Sequence, residues 1–188
     1  MKQLMVAVVL AAAPLVASAQ GQWTTLFNGK NLDAFNKVGD ANWTIVDGAV
    51  QADKGMGGYL VTKQSYGDFE IKAEFWVDTP ANSGIFIRCD NPQMPGGQGC
   101  YEVNIFDTRP DPAYATGAIV NVAKVATPIK AAGKWNTYEI RAQGSHLTVT
   151  LNGVKTADAN DAKHPRGPFA LQYGAGVVKF RNVQVRPL

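Results

Sequence analysis

Phe69-Glu70-Ile71-Lys72-Ala73-Glu74-Phe75-Trp76-Val77 alternates strictly, and its alternation decides the fold. A period of two puts Phe69, Ile71, Ala73, Phe75 and Val77 on one face of a β-strand and Glu70, Lys72, Glu74 and Trp76 on the other. Shorter runs of this kind, bounded by Gly, Pro, Asn and Asp, recur at about ten-residue intervals. They are Ile85 to Cys89, Tyr101 to Phe106, Trp135 to Ala142, Leu147 to Leu151, Phe169 to Tyr173 and Val177 to Val185. Asn152-Gly153, between Leu147-Leu151 and Val154-Lys155, predicts a tight hairpin. Across Arg181-Asn182 the apolar parity of Val178 and Phe180 passes to Val183 and Val185, which predicts a bulge. Helical periodicity is hard to find. Many antiparallel strands in one chain pack economically as two stacked sheets, so the fold class is all-β, an antiparallel β-sandwich or jelly roll.

The ends and the composition narrow the setting. The chain has 188 residues, 46% hydrophobic and 18% charged, the balance of one globular domain. Lys2, the apolar run from Leu4 to Val16 and Ala17-Ser18-Ala19 read as a secretory signal peptide over residues 1–19, with a single anchoring helix as the alternative. Residues 20–188 then form the exported domain, periplasmic or extracellular, with no cysteine at the cleavage point to carry a lipid. The formal net charge of +3 is scattered, with no run of like charge, so nucleic-acid and membrane-surface partners are not supported. In an oxidising compartment Cys89 and Cys100 would join across the loop Asp90 to Gly99; two partly buried thiols are the alternative. Asp107 to Pro128 reads as a long loop over one sheet.

Candidate chemistry lies on the strand faces turned away from the core. Glu74 and Trp76, Phe86 and Arg88, and Glu102 and Asn104 come from three consecutive strands. Paired as neighbours, they would gather carboxylates, a guanidinium, an amide and aromatic rings suited to holding a sugar. The ordinary polar outer face of an antiparallel sheet is the competing reading. Trp23, Trp43 and Trp135 read as core anchors, and His146 and His164 as solvated residues. Asp90, Asp107 and Asp111 could ligate calcium, but no loop has the dense oxygen spacing of such a site, so no cofactor is assigned and a divalent metal stays open.

Tyr101-Glu102-Val103-Asn104-Ile105-Phe106-Asp107 partly resembles the Glu-x-Asp-x-x-Glu strand of laminarinase-type glycoside hydrolases. A wider likeness runs through nearly the whole exported chain. It rests on Trp23 to Leu32, Tyr66-Gly67-Asp68-Phe69-Glu70, Asn82-Ser83-Gly84-Ile85-Phe86-Ile87-Arg88 and Tyr101-Glu102-Val103 with Asp107. Gly133 to Glu139, Leu151-Asn152-Gly153-Val154, Gly167 to Gln172 and Phe180-Arg181-Asn182-Val183 continue it. By these segments the chain resembles the 3-keto-disaccharide hydrolase domain family. The resemblance implies a concanavalin A-like sandwich acting on sugars oxidised to a ketone at carbon 3. It makes Glu102 the base or proton relay, Arg88 the donor toward an enolate-like oxygen and Asp107 the orienter or acid. Gln172 falls in the family's Leu-Gln segment, but Tyr173-Gly174-Ala175 follows where many members have Asp-His-Gly. Tyr173 and Glu102 would therefore share the proton work, or the domain binds sugar without turnover.

Overall fold

The computed structural model describes residues 21–125 and 128–188, so the signal segment expected over residues 1–19 lies outside the described residues. In chain order the strands are β1 (Thr24–Phe27), β2 (Phe35–Gly39), β3 (Thr44–Val46), β4 (Ala49–Ala52), β5 (Gly58–Thr62), β6 (Phe69–Val77) and β7 (Asn82–Ile87). They continue as β8 (Tyr101–Ile105), β9 (Trp135–Gln143), β10 (His146–Leu151), β11 (Val154–Asn160), β12 (Ala170–Ala175) and β13 (Val178–Pro187). One sheet of eight strands runs β11-β10-β9-β6-β13-β4-β3, with β1 also on β13; the other, of five, runs β2-β5-β12-β7-β8. The two sheets form the expected sandwich. The last two strands of the chain, β12 and β13, sit inside them, not at their edges.

The parity of β6 is obeyed: Phe69, Ile71, Ala73 and Phe75 are fully buried, and Glu70, Lys72, Glu74 and Trp76 look outward. They pack with Tyr138, Ile140, Val178 and Phe180 of their own sheet and with Leu60, Ile85, Val103 and Leu171 of the other. Tyr138 crosses between the layers, its ring 4.8 Å from Phe75 and its hydroxyl donating to the Asn104 carbonyl at 2.6 Å. A buried phenol needs such an acceptor, and the bond ties β9 to β8.

Local chemistry explains the turns. Asn152 and Gly153 both take positive φ, 52° and 81°, the two left-handed positions of a type I′ hairpin joining β10 to β11. The bulge falls where parity changed. The register of β13 against β6 slips between Arg181 and Gln184, with Asn182 at φ 49°. Before the slip β13 pairs with β4 through Val178–Phe180; after it, with β1 through Val183–Val185. One inserted residue lets a single strand change neighbours along one edge.

Two expectations are corrected, and the long loop is given detail. β7 and β8 pair as expected, but β6 belongs to the eight-stranded sheet and does not join them. Trp43 is buried in the core, but Trp23 is 41% exposed, and both Trp23 and Trp135 lie under guanidinium groups, those of Arg186 and Arg181. Within the loop from Asp107 to Pro128, Pro112–Tyr114 form a 3₁₀ turn, and Gly117 to Val120 then follow β8. Gly117 N donates to Asn104 O, Asn104 N to Ala118 O and Val120 N to Glu102 O, satisfying an edge that would otherwise be open.

Candidate functional site

The site begins with a missing side chain. Gly84 of β7 faces outward on the five-stranded sheet, opposite Asn104 of β8 and Gln172 of β12. A Cβ at this position would stand 3.0 Å from Val103 O, 3.4 Å from the Phe86 ring and 3.5 Å from Glu102 Cγ. The glycine leaves a slot, and Glu102, paired with Phe86, leans over it. Gly97 approaches from the loop above, where a Cβ would lie 3.5 Å from Glu102 Oε2. Enclosed in this way, the carboxyl is pushed above the ordinary glutamate range by burial, with Arg109 pulling against it.

Polar groups without full partners lie alongside. Gln172 Oε1 is buried and accepts no hydrogen bond. Tyr59 of β5 pairs with Gln172, and its ring meets Phe86 edge-on at 5.4 Å. Burial raises the Tyr59 phenol; the Gln172 amide opposes the rise, and the Glu102 charge adds to it. Glu102, Gln172 and Tyr59 are thus electrostatic neighbours drawn from three strands.

A disulfide builds the wall over them. Cys89 and Cys100 are joined, with Cα atoms 4.3 Å apart, and both are buried with Val61, Phe86 and Ala170 in a small apolar cluster. Asp90 N donates to Gly99 O at 2.8 Å, and Gly99 N to Gly96 O at 3.0 Å, closing the loop on itself. Between this loop and the β4–β5 connection lies a cleft of about 650 Å³, floored by Tyr59 and Gln172.

The remaining expected residues go elsewhere. Arg88 takes φ 52°, which breaks the alternation of β7 and turns the side chain off the outer face. It is 1% exposed, and its guanidinium donates to the carbonyls of Gly67, Gly144 and His164 and to Asp68 Oδ1, at 2.7 to 3.4 Å. Asp107 accepts from Thr116 Oγ1, Ala131 N and Ala132 N, fastening the ends of its loop together. Asn104 is covered by that loop and donates to Tyr114 O at 2.6 Å. Phe86 is part of the buried floor, and Tyr173 points inward against Trp43 at 6.5 Å. Glu74 pairs with Arg181, and Trp76 lies under Lys179, on the outer face of the other sheet.

Of the eleven residues singled out, the structure brings Glu102, Gln172, Phe86, Cys89 and Cys100 into one place. It adds Tyr59 and Arg109, which the sequence reading missed. Tyr59 stands in Gly58-Tyr59-Leu60-Val61-Thr62, an alternating segment short enough to be passed over. His164, expected in solvent, is 2% exposed, with Nδ1 2.9 Å from Asp90 Oδ2 and its N–H donating to the Tyr101 hydroxyl. His146 is exposed and pairs with Asp158, as expected of a surface residue. No group of three or more His, Cys, Asp or Glu side chains that could hold a metal lies among the described residues.

Residues 22–186 match the family model described as the 3-keto-alpha-glucoside-1,2-lyase-like domain. Two candidate glycosyl hydrolases from Parabacteroides distasonis share the architecture. One is 27% identical, with TM-score 0.74, covering 89% of this chain and 100% of that one. The other is 20% identical, with TM-score 0.76, covering 88% and 94%. The carbohydrate binding module CBM66 of Bacillus subtilis matches at 18% identity and TM-score 0.62, covering 89% and 96%. No curated protein matches the chain.

Proposed function

Because the chain belongs to the 3-keto-alpha-glucoside-1,2-lyase-like domain family, we propose that it breaks the glycosidic bond of a glucoside already oxidised to a ketone at carbon 3. The observation that carries this reading is the Glu102 carboxyl: enclosed over the Gly84 slot, raised in pKa, and felt by Tyr59, the strand partner of Gln172. A ketone at carbon 3 acidifies the proton on carbon 2. Glu102 takes that proton, and the electron pair left behind forms an enolate delocalised onto the ketone oxygen. The enolate collapses by expelling the glycosidic oxygen from carbon 1, which takes the proton held by Glu102 and leaves as an alcohol, restoring the carboxylate. Water then adds at carbon 1 while a proton returns to carbon 2, so the net change is hydrolysis.

A carboxylate made more basic by enclosure suits the first step, since a general base works best when its pKa approaches the working pH. Arg109, whose charge Glu102 feels, supplies positive potential for the enolate. Gln172 and the Tyr59 hydroxyl bind sugar hydroxyls. Arg88 and Asp107 act as positioning residues, holding the loops at the ends of the sheet. A retaining glycosidase needs two carboxyl groups about 5 to 5.5 Å apart, and Asp107, engaged by its own loop, does not serve as the second.

The test is release of the leaving group from a 3-keto-glucoside and from its unoxidised parent. Release from the keto compound alone is expected, with Glu102→Gln lowering kcat about 10²- to 10⁴-fold while calorimetric affinity holds. Equal release from the parent would overturn the mechanism. One observation favours a second reading, a sugar-binding module without turnover: Tyr173 stands where many members carry Asp and turns into the core. Saturable binding with no release from either compound would select it.

A further inference from the structure

Two methionines stand in solvent where the rest of the surface is mostly polar: Met56 is 94% exposed and Met94 is 75% exposed. They come from different loops, yet both line the same cleft of about 650 Å³, whose other walls include Val38, Tyr59 and Pro95. The backbone at each is fixed by a hydrogen bond. Met56 N donates to Asp40 Oδ1 at 2.7 Å, in a turn where Gly55 and Gly57 supply φ of 118° and 137°. Met94 N donates to Asn91 O at 3.2 Å, within the loop closed by the disulfide. Exposed apolar side chains lining one cleft mark a binding surface, and methionine suits ligands of varied shape.

The cleft meets the proposed sugar site through Gln172 and Tyr59, which form part of its floor: Gln172 pairs with Gly84, and the Tyr59 ring meets Phe86, the strand partner of Glu102. Moving from Gln172 toward the methionines, the lining changes from amide to ring and thioether. A second sugar unit in that apolar part would leave hydroxyls without partners, each at a cost. Gln93 and Asp40 also line the cleft, but Asp40 already accepts from Met56 N. An aromatic group loses nothing there and gains contact with Met56, Met94 and Tyr59.

We propose that this cleft is the leaving-group subsite and that it takes an aromatic aglycone, so the favoured substrates are aryl glucosides of the 3-keto class. The inference rests on the reading of the Glu102 face as the sugar site. Calorimetry with matched phenyl and methyl 3-keto-glucosides and a 3-keto-disaccharide tests it on the purified protein, whether or not turnover follows. The phenyl compound should bind about tenfold more tightly than the other two. Replacing both methionines (Met56→Ser with Met94→Ser) should reduce that preference to within about twofold and leave the methyl compound's affinity unchanged. The Met94→Ser variant alone, with a melting curve, guards against a misfolded double variant. Equal affinity for phenyl and methyl compounds, or a preference that survives both substitutions, overturns the subsite and leaves the sugar site standing. Failure of all three compounds to bind overturns the sugar site itself.

Discussion

Glu102 is placed against its own solvation. Its folded pKa lies above the ordinary glutamate value, so the neutral carboxyl favours the fold; that contribution is complete at acid pH and is lost as pH rises through the raised value. Two outcomes follow for Glu102→Gln. At neutral pH the variant should melt about 2–4 °C higher than the parent protein, and below the ordinary glutamate range the difference should vanish, as scanning calorimetry would record. In the parent protein, turnover should rise with pH through the same raised value, because only the charged carboxyl can accept the carbon-2 proton. Equal melting temperatures at both pH values would mean that Glu102 is not desolvated. The contrast with Arg88 is instructive. Arg88 is also buried, but Asp68 and three carbonyls meet its guanidinium, and its place is structural.

At the scale of elements, the disulfide loop is what dries Glu102, since Gly97 lies over the carboxylate. Replacing Cys89 and Cys100 together by Ser should cost about 3 kcal/mol of stability, from loop closure over 11 residues of separation. It should also bring the acid limb of the pH–rate profile back toward an ordinary glutamate. A melting curve and a pH profile check the two effects separately, and an unmoved profile would assign the loop to stability alone. Much at this scale was legible in the sequence: β6, β9, the Asn152-Gly153 hairpin and the Arg181-Asn182 bulge were written in parity and turn chemistry. Partnership was not. Alternation fixes the face on which Glu74 and Trp76 lie but not the strand beside them, and their neighbours prove to be β9 and β13, distant in sequence. Arg88 escaped because a positive φ ended the alternation one residue early, and β1 to β5 because strands of three to five residues barely establish a period. Glu102 was found by strand parity and given its role by likeness to a family, Gln172 was found by that likeness alone, and Tyr59 needed the sheet.

For the molecule as a whole, the interior position of the last strands sets the cooperativity. β13 buries Val178, Phe180, Val183 and Val185 at 1% exposure or less. At roughly 1.5–3 kcal/mol per buried side chain, their loss rivals the stability of an entire domain, about 5–15 kcal/mol. A chain ending before Val178 should therefore show no cooperative melting transition by circular dichroism, and a sharp transition in that fragment would contradict this account. β1 waits on the same strand, since Thr24 and Thr25 pair with Val185 and Gln184. The order of synthesis gives this arrangement a kinetic meaning. A polypeptide emerging amino-end first from a ribosome holds both half-built sheets open until β12 and β13 are free. Contacts so distant along the chain close slowly, so the two sheets lock together only in the last step of folding.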